Sequence, residues 1–146
     1  MTPTSATKGD IEQASELLAV ISRRASHEVR NALNSVAVNL EVVRTRIARP
    51  EPDLSELRNF AERASKESDA AASLTTGLAD LTRLLALAAT GDGKATVKLG
   101  TDSKIVSVPL CSAGDVELSG DLRALSARMG VSIRLDGSTV IFTVRD

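Results

Sequence analysis

A long, uninterrupted helical pattern near the start of the chain limits its possible folds more than any other feature. Between Gly9 and Arg49 there is no proline and no further glycine, and apolar residues recur in steps of three and four. This apolar stripe consists of Leu18, Ile21, Ala25, Val29, Ala32, Val36, Leu40, Val43 and Ile47. The spacing predicts one continuous amphipathic helix. At 1.5 Å per residue this helix would be roughly 60 Å long, so its apolar face needs a partner.

A second helical stretch follows a proline-containing turn. Pro50 and Pro52 interrupt the first pattern, and Asp53 or Ser55 is placed to cap a helix that extends to about Ala89. The two helices have similar lengths and a short connection, which favours an antiparallel hairpin. One hairpin covers only one side of each apolar stripe. We therefore expect a homodimer in which two hairpins form a four-helix bundle.

The pattern changes after residue 90, where short segments with β character replace the helical spacing. Strands are predicted at 95–99, 105–110, 131–135 and 139–144, with a helix at 118–129. Asp136-Gly137 is typical of a hairpin turn between the last two strands. The predicted fold class is α+β, mainly α. It comprises a flexible tail at 1–8, a helical hairpin at 9–90 and a small ββαββ unit at 91–146.

Composition argues against several classes of function. A net charge of −1 is unlike that of a general nucleic-acid binder. No apolar run approaches the roughly 20 residues of a membrane span, and nothing resembles a signal peptide. Cys111 is the only cysteine, which excludes an intramolecular disulfide and a cysteine-based zinc site, and we expect it to pack rather than to react. We expect a cytoplasmic protein that binds no cofactor, metal, membrane or nucleic acid.

The only histidine of the chain lies in the first helix, in the sequence Ser26-His27-Glu28-Val29-Arg30-Asn31. At about 100° per residue, His27 points away from the apolar stripe, and Asn31 lies on the same face one turn later. An exposed neutral imidazole is a nucleophile, and the adjacent Glu28 carboxylate can orient the ring or take up its proton. Asn31 can orient a water molecule or a phosphoryl oxygen. The combination favours a phosphoacceptor over a merely solvated histidine.

Three arginines surround this histidine: Arg23, Arg24 and Arg30. Their positive charge makes them candidate contacts for an anionic partner. A simpler interpretation is also open, in which the arginines form a solvated face. In that case Glu28 is a surface ion-pair partner of Arg23 or Arg24.

The residues from His27 to Asn31 resemble the H-box of two-component sensor histidine kinases. In that motif an acid follows the phosphoacceptor histidine and, after two further residues, comes Asn or Thr, usually before a proline. Ala32 stands at the proline position. The resemblance covers roughly residues 10–89, which look like the dimerisation and phosphotransfer hairpin of that family. It implies phosphate acceptance by His27, acid/base assistance by Glu28 and orientation of water by Asn31 when a regulator is dephosphorylated.

The resemblance to these kinases ends after residue 90. Such kinases carry a larger ATP-binding domain with an asparagine-bearing helix and glycine-rich boxes, whereas this chain has no asparagine after Asn59. Gly91-Asp92-Gly93 is interpreted as a helix stop and linker, because it lacks the spacing of a phosphate loop. The chain thus resembles the histidine phosphotransferases of phosphorelays, some of which keep a degenerate remnant of the ATPase domain. We do not expect an ATP-dependent autokinase.

The reaction implied by the resemblance is reversible exchange of phosphate between His27 and an aspartate of a response-regulator receiver domain. Mg²⁺ is then expected in the receiver and not in this chain, and a sensor histidine kinase is a further candidate partner. Two alternatives stay open. One is a response-regulator phosphatase, and the other is a non-catalytic dimeric adaptor or pseudokinase that binds a receiver or a kinase.

Overall fold

Two long helices that pack together form the first half of the fold. The computed structural model describes residues 8–90, 95–110 and 117–146. Helix α1 (Lys8–Ile47) and helix α2 (Leu54–Thr90) have 40 and 37 residues and make extensive contact. No helix in the described ranges combines the length and apolarity that crossing a membrane requires. Residues 1–7 of the predicted tail, the predicted linker at 91–93 and Cys111 lie outside the described residues.

The turn between the two helices is fixed by a cap, an ion pair and an aromatic contact. The Oδ1 atom of Asp53 accepts hydrogen bonds from the backbone N–H groups of Ser55 and Glu56 at 3.0 and 3.2 Å. Asp53 is therefore the residue that caps α2. Arg46, in the last turn of α1, forms a salt bridge with Glu56. Its guanidinium carbon also lies 4.9 Å from the ring centre of Phe60, so both helices are tied where the chain reverses.

The second half of the fold is a small unit of four strands and one helix. Its elements are β1 (Thr96–Leu99), β2 (Ser103–Pro109), α3 (Gly120–Met129), β3 (Val131–Asp136) and β4 (Thr139–Arg145). The strands form an antiparallel sheet in the order β1-β2-β4-β3. This confirms the predicted ββαββ order of elements. Gly137, with a φ of 60°, lies in the turn between β3 and β4, where the Asp136-Gly137 pattern predicted a turn.

One hydrophobic cluster joins the hairpin to the sheet. Its fully buried members include Ile21 from α1, Leu81 from α2, Leu125 from α3 and Phe142 from β4. Helix α3 contacts α1, α2 and β3. It therefore links the hairpin to the sheet and determines where the small unit lies on the long helices.

The contact between α2 and α3 depends on a glycine in the middle of α2. A Cβ atom added at Gly77 would lie 2.5 Å from the carbonyl oxygen of Asp121 and 3.2 Å from the Cβ of Leu125. Glycine in a helix interior costs roughly 0.5–1 kcal/mol relative to alanine. Here its lack of a side chain lets the backbone of α3 come directly against α2.

Two hydrogen bonds between side chains flank this close contact. Ser73 of α2 donates to Oδ1 of Asp121 at 2.6 Å, and Ser119, the residue that caps α3, donates to Oδ2 of Asp80 at 2.5 Å. The hydroxyl oxygen of Ser119 also accepts from the backbone N–H of Leu122 at 3.1 Å. The same serine therefore starts α3 and attaches it to α2.

The apolar stripe of α1 is buried along only part of its length. Ile21, Ala25 and Ala32 have at most 2% of their surface exposed, as the periodicity predicted. Further along the helix, Leu40 and Ile47 of the same stripe are 53% and 60% exposed in the single chain. The small unit covers the end of the hairpin near the start of α1, and within one copy of the chain α2 leaves this edge of α1 open.

We expect Gly77→Ala to lower the free energy of unfolding by about 1–3 kcal/mol, because the added methyl group would overlap the backbone of α3. Gly120→Ala is the matched control, since a Cβ there meets nothing within 4 Å. In that variant alanine also restricts the unfolded chain, so we expect no loss of stability. Urea denaturation measures both variants. Equal stability of the two would contradict the proposed role of close packing at Gly77.

Candidate functional site

His27 lies on the exposed face of α1, next to the point where the small unit stops covering the helix. Ala25, two residues earlier, is fully buried, whereas His27 is exposed. Exposure is what its helical position predicted. Asn31 is exposed on the same face. The histidine is thus accessible to another macromolecule while the backbone that carries it belongs to the packed part of the protein.

A cavity of about 450 Å³ opens beside the histidine. It is lined by Arg23, Arg24, His27, Glu28 and Met129. Helix α1 supplies four of these residues, and Met129 comes from the C-terminal end of α3. The structure therefore brings most of the predicted site residues together. Arg30 is exposed on α1 but is not among the described residues that line the cavity.

Asn31 contacts the imidazole ring directly. Its Nδ2 atom lies 3.2 Å from Nδ1 of His27, where an amide N–H can donate to the ring. If the amide group turns over, its Oδ1 takes this place and accepts a proton from Nδ1 instead. The lone pair then lies on Nε2, which has no hydrogen bond to any residue in the described parts of the chain. With Nδ2 on the ring, Asn31 selects the tautomer that is protonated at Nε2, and with Oδ1 on the ring it holds His27 in the tautomer whose Nε2 is nucleophilic.

Glu28 lines the cavity but does not orient the ring. It is half-buried, and among the described residues it forms neither a hydrogen bond with His27 nor a salt bridge with Arg23 or Arg24. The alternative interpretation of Glu28 as an ion-pair partner of Arg23 or Arg24 thus does not fit this arrangement. The neighbour of Nδ1 is Asn31 and not Glu28. The Glu28 carboxylate is instead placed to act on a group that enters the cavity.

Arg24 makes two hydrogen bonds that its position in the sequence did not predict. Its Nη1 atom donates to the carbonyl oxygen of Met129 at 3.4 Å and to that of Arg145 at 3.1 Å. These carbonyls end α3 and β4, and a cation at the C-terminal end of a helix is favourable because that end carries partial negative charge. Arg24 therefore ties the small unit to α1. Arg23, which is exposed, is the cavity arginine placed to meet an anion.

The contribution of Met129 and Arg145 to this site could not be read from the sequence. They lie 105 and 121 residues from Arg24 along the chain, and they contribute backbone carbonyl groups. Every residue has such a group, so no local pattern marks these two. Only the packing of α3 against α1 brings them to the histidine.

No model of a protein family matches the chain, and no curated protein sequence matches it. Any conclusion about function therefore depends on the side chains around His27.

Proposed function

We propose that this chain is a histidine phosphotransferase, which exchanges phosphate between His27 and an aspartate of a response-regulator receiver domain. The observation that carries this proposal is the contact of 3.2 Å between Asn31 and Nδ1 of an exposed His27. The contact occupies Nδ1, and once the amide turns so that its Oδ1 faces Nδ1–H, the reactive lone pair lies on Nε2. The adjoining cavity supports the same conclusion, since Arg23 provides positive charge beside the ring.

The proposed transfer requires little chemistry from this chain. Nε2 attacks the phosphorus of the aspartyl phosphate, the N–P bond forms, and the P–O bond to the aspartate breaks to release a carboxylate. Positive charge develops on the ring during attack, and Oδ1 of Asn31 can accept a hydrogen bond from Nδ1–H and stabilise that charge. Glu28 lines the cavity beside the ring without contacting Nδ1, and it can take up the released ring proton through water in the cavity. The Mg²⁺ needed for aspartate chemistry would be bound by the receiver.

We further propose that the protein acts as a cytoplasmic homodimer. Leu33, Leu40 and Ile47 are 53%, 53% and 60% exposed, and they follow one another at intervals of seven residues. That interval places them on one edge of α1, as in helices that pair side by side. A second hairpin against this edge would bury apolar surface that one copy leaves in water.

Transfer of phosphate can be tested with receiver domains of the same organism that have been phosphorylated by acetyl phosphate. We expect base-stable, acid-labile phosphate on the wild-type chain and none on His27→Ala, because no other histidine is present. Ser26→Ala, a change at the neighbouring exposed position, should keep the label. Both variants should keep the wild-type stability within about 0.5 kcal/mol, since the positions are on the surface.

The same assay separates the alternative functions. Loss of phosphate from the receiver without label on this chain would favour a phosphatase. Binding of the receiver with neither result would favour an adaptor. Equal labelling of His27→Ala and the wild type would rule out His27 as the acceptor.

The role of Asn31 can be tested through the tautomer of His27. We expect Asn31→Asp to fix the proton on Nδ1, because a carboxylate can only accept there. Asn31→Leu should slow labelling of His27 by a small phosphate donor roughly threefold to tenfold, the effect of losing one hydrogen bond worth about 0.5–1.5 kcal/mol. Long-range ¹H–¹⁵N NMR reports the tautomer unambiguously for a single histidine. An unchanged tautomer and an unchanged rate in Asn31→Leu would contradict the role of Asn31.

The proposed dimer edge can be tested with two matched substitutions on α1. We expect Leu40→Glu to reduce the sedimentation mass from that of two chains to that of one, because it places a charge in the apolar contact. Val38→Glu is the control. Val38 is 62% exposed and lies about 160° around the helix from Leu40, so its substitution should leave the mass unchanged. A wild-type mass of one chain at micromolar concentration would contradict the dimer.

A further inference from the structure

Helix α3 is anchored to the hairpin at both of its ends. At its N-terminal end, its backbone lies against Gly77, and Asp121 accepts a hydrogen bond from Ser73 at 2.6 Å. At its C-terminal end, the carbonyl oxygen of Met129 accepts from Arg24 at 3.4 Å. The small unit thus has a defined position relative to His27, which lies three residues beyond Arg24 on α1.

Two cavities have residues at the C-terminal end of α3 in their linings. The first is the cavity beside His27, to which Met129 contributes. The second has a volume of about 260 Å³ and is lined by Ser126, Ala127, Gly130, Val131, Ser132 and Arg145. Arg145 is also the residue whose carbonyl group accepts from Arg24 at 3.1 Å. The hydrogen bonds from Arg24 to the carbonyl groups of Met129 and Arg145 form a link between α1 and the small unit. One concave surface lies on the α1 side of this link, and the other lies on the side of the small unit.

Exposed positive charge is present on both sides of this link. Arg23 and Arg30 are exposed on α1, and Arg128 and Arg145 are exposed on the small unit. A partner that delivers phosphate to His27 carries an aspartyl phosphate, which is an anion, at its point of contact. Positive charge on both units attracts such a partner and favours an orientation in which it touches both.

We propose that the receiver domain docks across α1 and the small unit together, with its phosphoaspartate in the His27 cavity and its flank in the second cavity. Arg24 is the positioning residue that holds the two cavities in their relative places. Its guanidinium acts through α3 and β4, because it binds the carbonyl groups of Met129 and Arg145. This inference rests on the proposed phosphotransfer function and adds to it the surface that recognises the partner.

A small phosphate donor separates docking from the chemistry of His27. In the reaction with phosphoramidate, Nε2 attacks phosphorus and the P–N bond of the donor breaks. The donor nitrogen takes up the ring proton and leaves as ammonia. This donor needs no protein surface. Labelling by phosphoramidate therefore reports the reactivity of the imidazole, and transfer from a phosphorylated receiver reports reactivity and docking together.

Two variants of the full chain address the two parts of the proposed surface. Arg24→Gln removes the link, and Ser132→Trp fills the second cavity from an exposed position that does not line the His27 cavity. We expect each variant to raise the receiver concentration that gives half-maximal transfer about tenfold. Ser132→Trp would remove contacts with the receiver, and Arg24→Gln would remove the ordering of the docking surface. The rate at saturating receiver and labelling by phosphoramidate should stay at the wild-type values.

Matched controls account for the loss of charge and for the added bulk. Arg58→Gln removes the same charge from an exposed position of α2, and Ser138→Trp adds the same ring in the turn at the opposite end of β3. Both should transfer phosphate within about twofold of the wild type. If Arg24→Gln proves too unstable to assay, Ser132→Trp still tests the docking surface, because its side chain is on the outside of the fold.

The outcomes that overturn the inference are distinct from one another. Wild-type receiver dependence in both Arg24→Gln and Ser132→Trp would exclude the small unit from docking. A parallel loss of phosphoramidate labelling and of the saturating rate in Arg24→Gln would mean that Arg24 acts on the phosphoryl group itself. If the wild-type chain accepts phosphate from no receiver, the proposed function fails and the docking surface fails with it.

Discussion

The close contact between α2 and α3 at Gly77 is the constraint on which the rest of the structure depends. A helix of ten residues above a four-stranded sheet buries little surface of its own. It becomes part of a larger core because the backbone of Asp121 can lie directly on α2. The hydrogen bonds of Ser73 and Ser119 then fix its direction along the hairpin. Everything that the small unit contributes near His27 follows from this placement.

The C-terminal end of α3 explains why Arg24 finds a partner there. Gly130 adopts a left-handed conformation, with a φ of 67°, and its N–H group bonds back to Ala127. The chain then turns directly into β3, and the carbonyl group of Met129 is left at the end of the helix, where it bonds to Arg24. A helix terminus needs such a donor. The interaction is thus one of helix capping across two units of the fold, and it brings α3 to the edge of the His27 cavity.

Much of the architecture could be predicted from the sequence because it depends on local patterns. The periodicity of α1, the proline-rich turn and the Asp136-Gly137 signal placed the elements close to their observed bounds, and helical phase placed His27 and Asn31 together on the exposed face. The sequence predicted that the apolar face of α1 needs a partner, but not that α2 leaves Leu40 exposed, since periodicity shows that a face is apolar and not what covers it. The hydrogen-bond partners of Arg24 could not be predicted either, because they are backbone groups more than a hundred residues away along the chain.

The fixed position of the small unit bears on whether phosphate would reach His27 from a nucleotide-binding domain of the same chain or from a partner protein. A domain that carried a nucleotide to this histidine would have to move over the site and away again, which requires a weak or changeable interface. Here Gly77 and Arg24 hold opposite ends of the same short helix, and a hydrophobic cluster continues from the hairpin into the sheet. Such an interface favours a small unit that keeps a fixed position beside the histidine. The mobile component in the proposed relay is then the partner protein, which would dock, transfer its phosphate and leave.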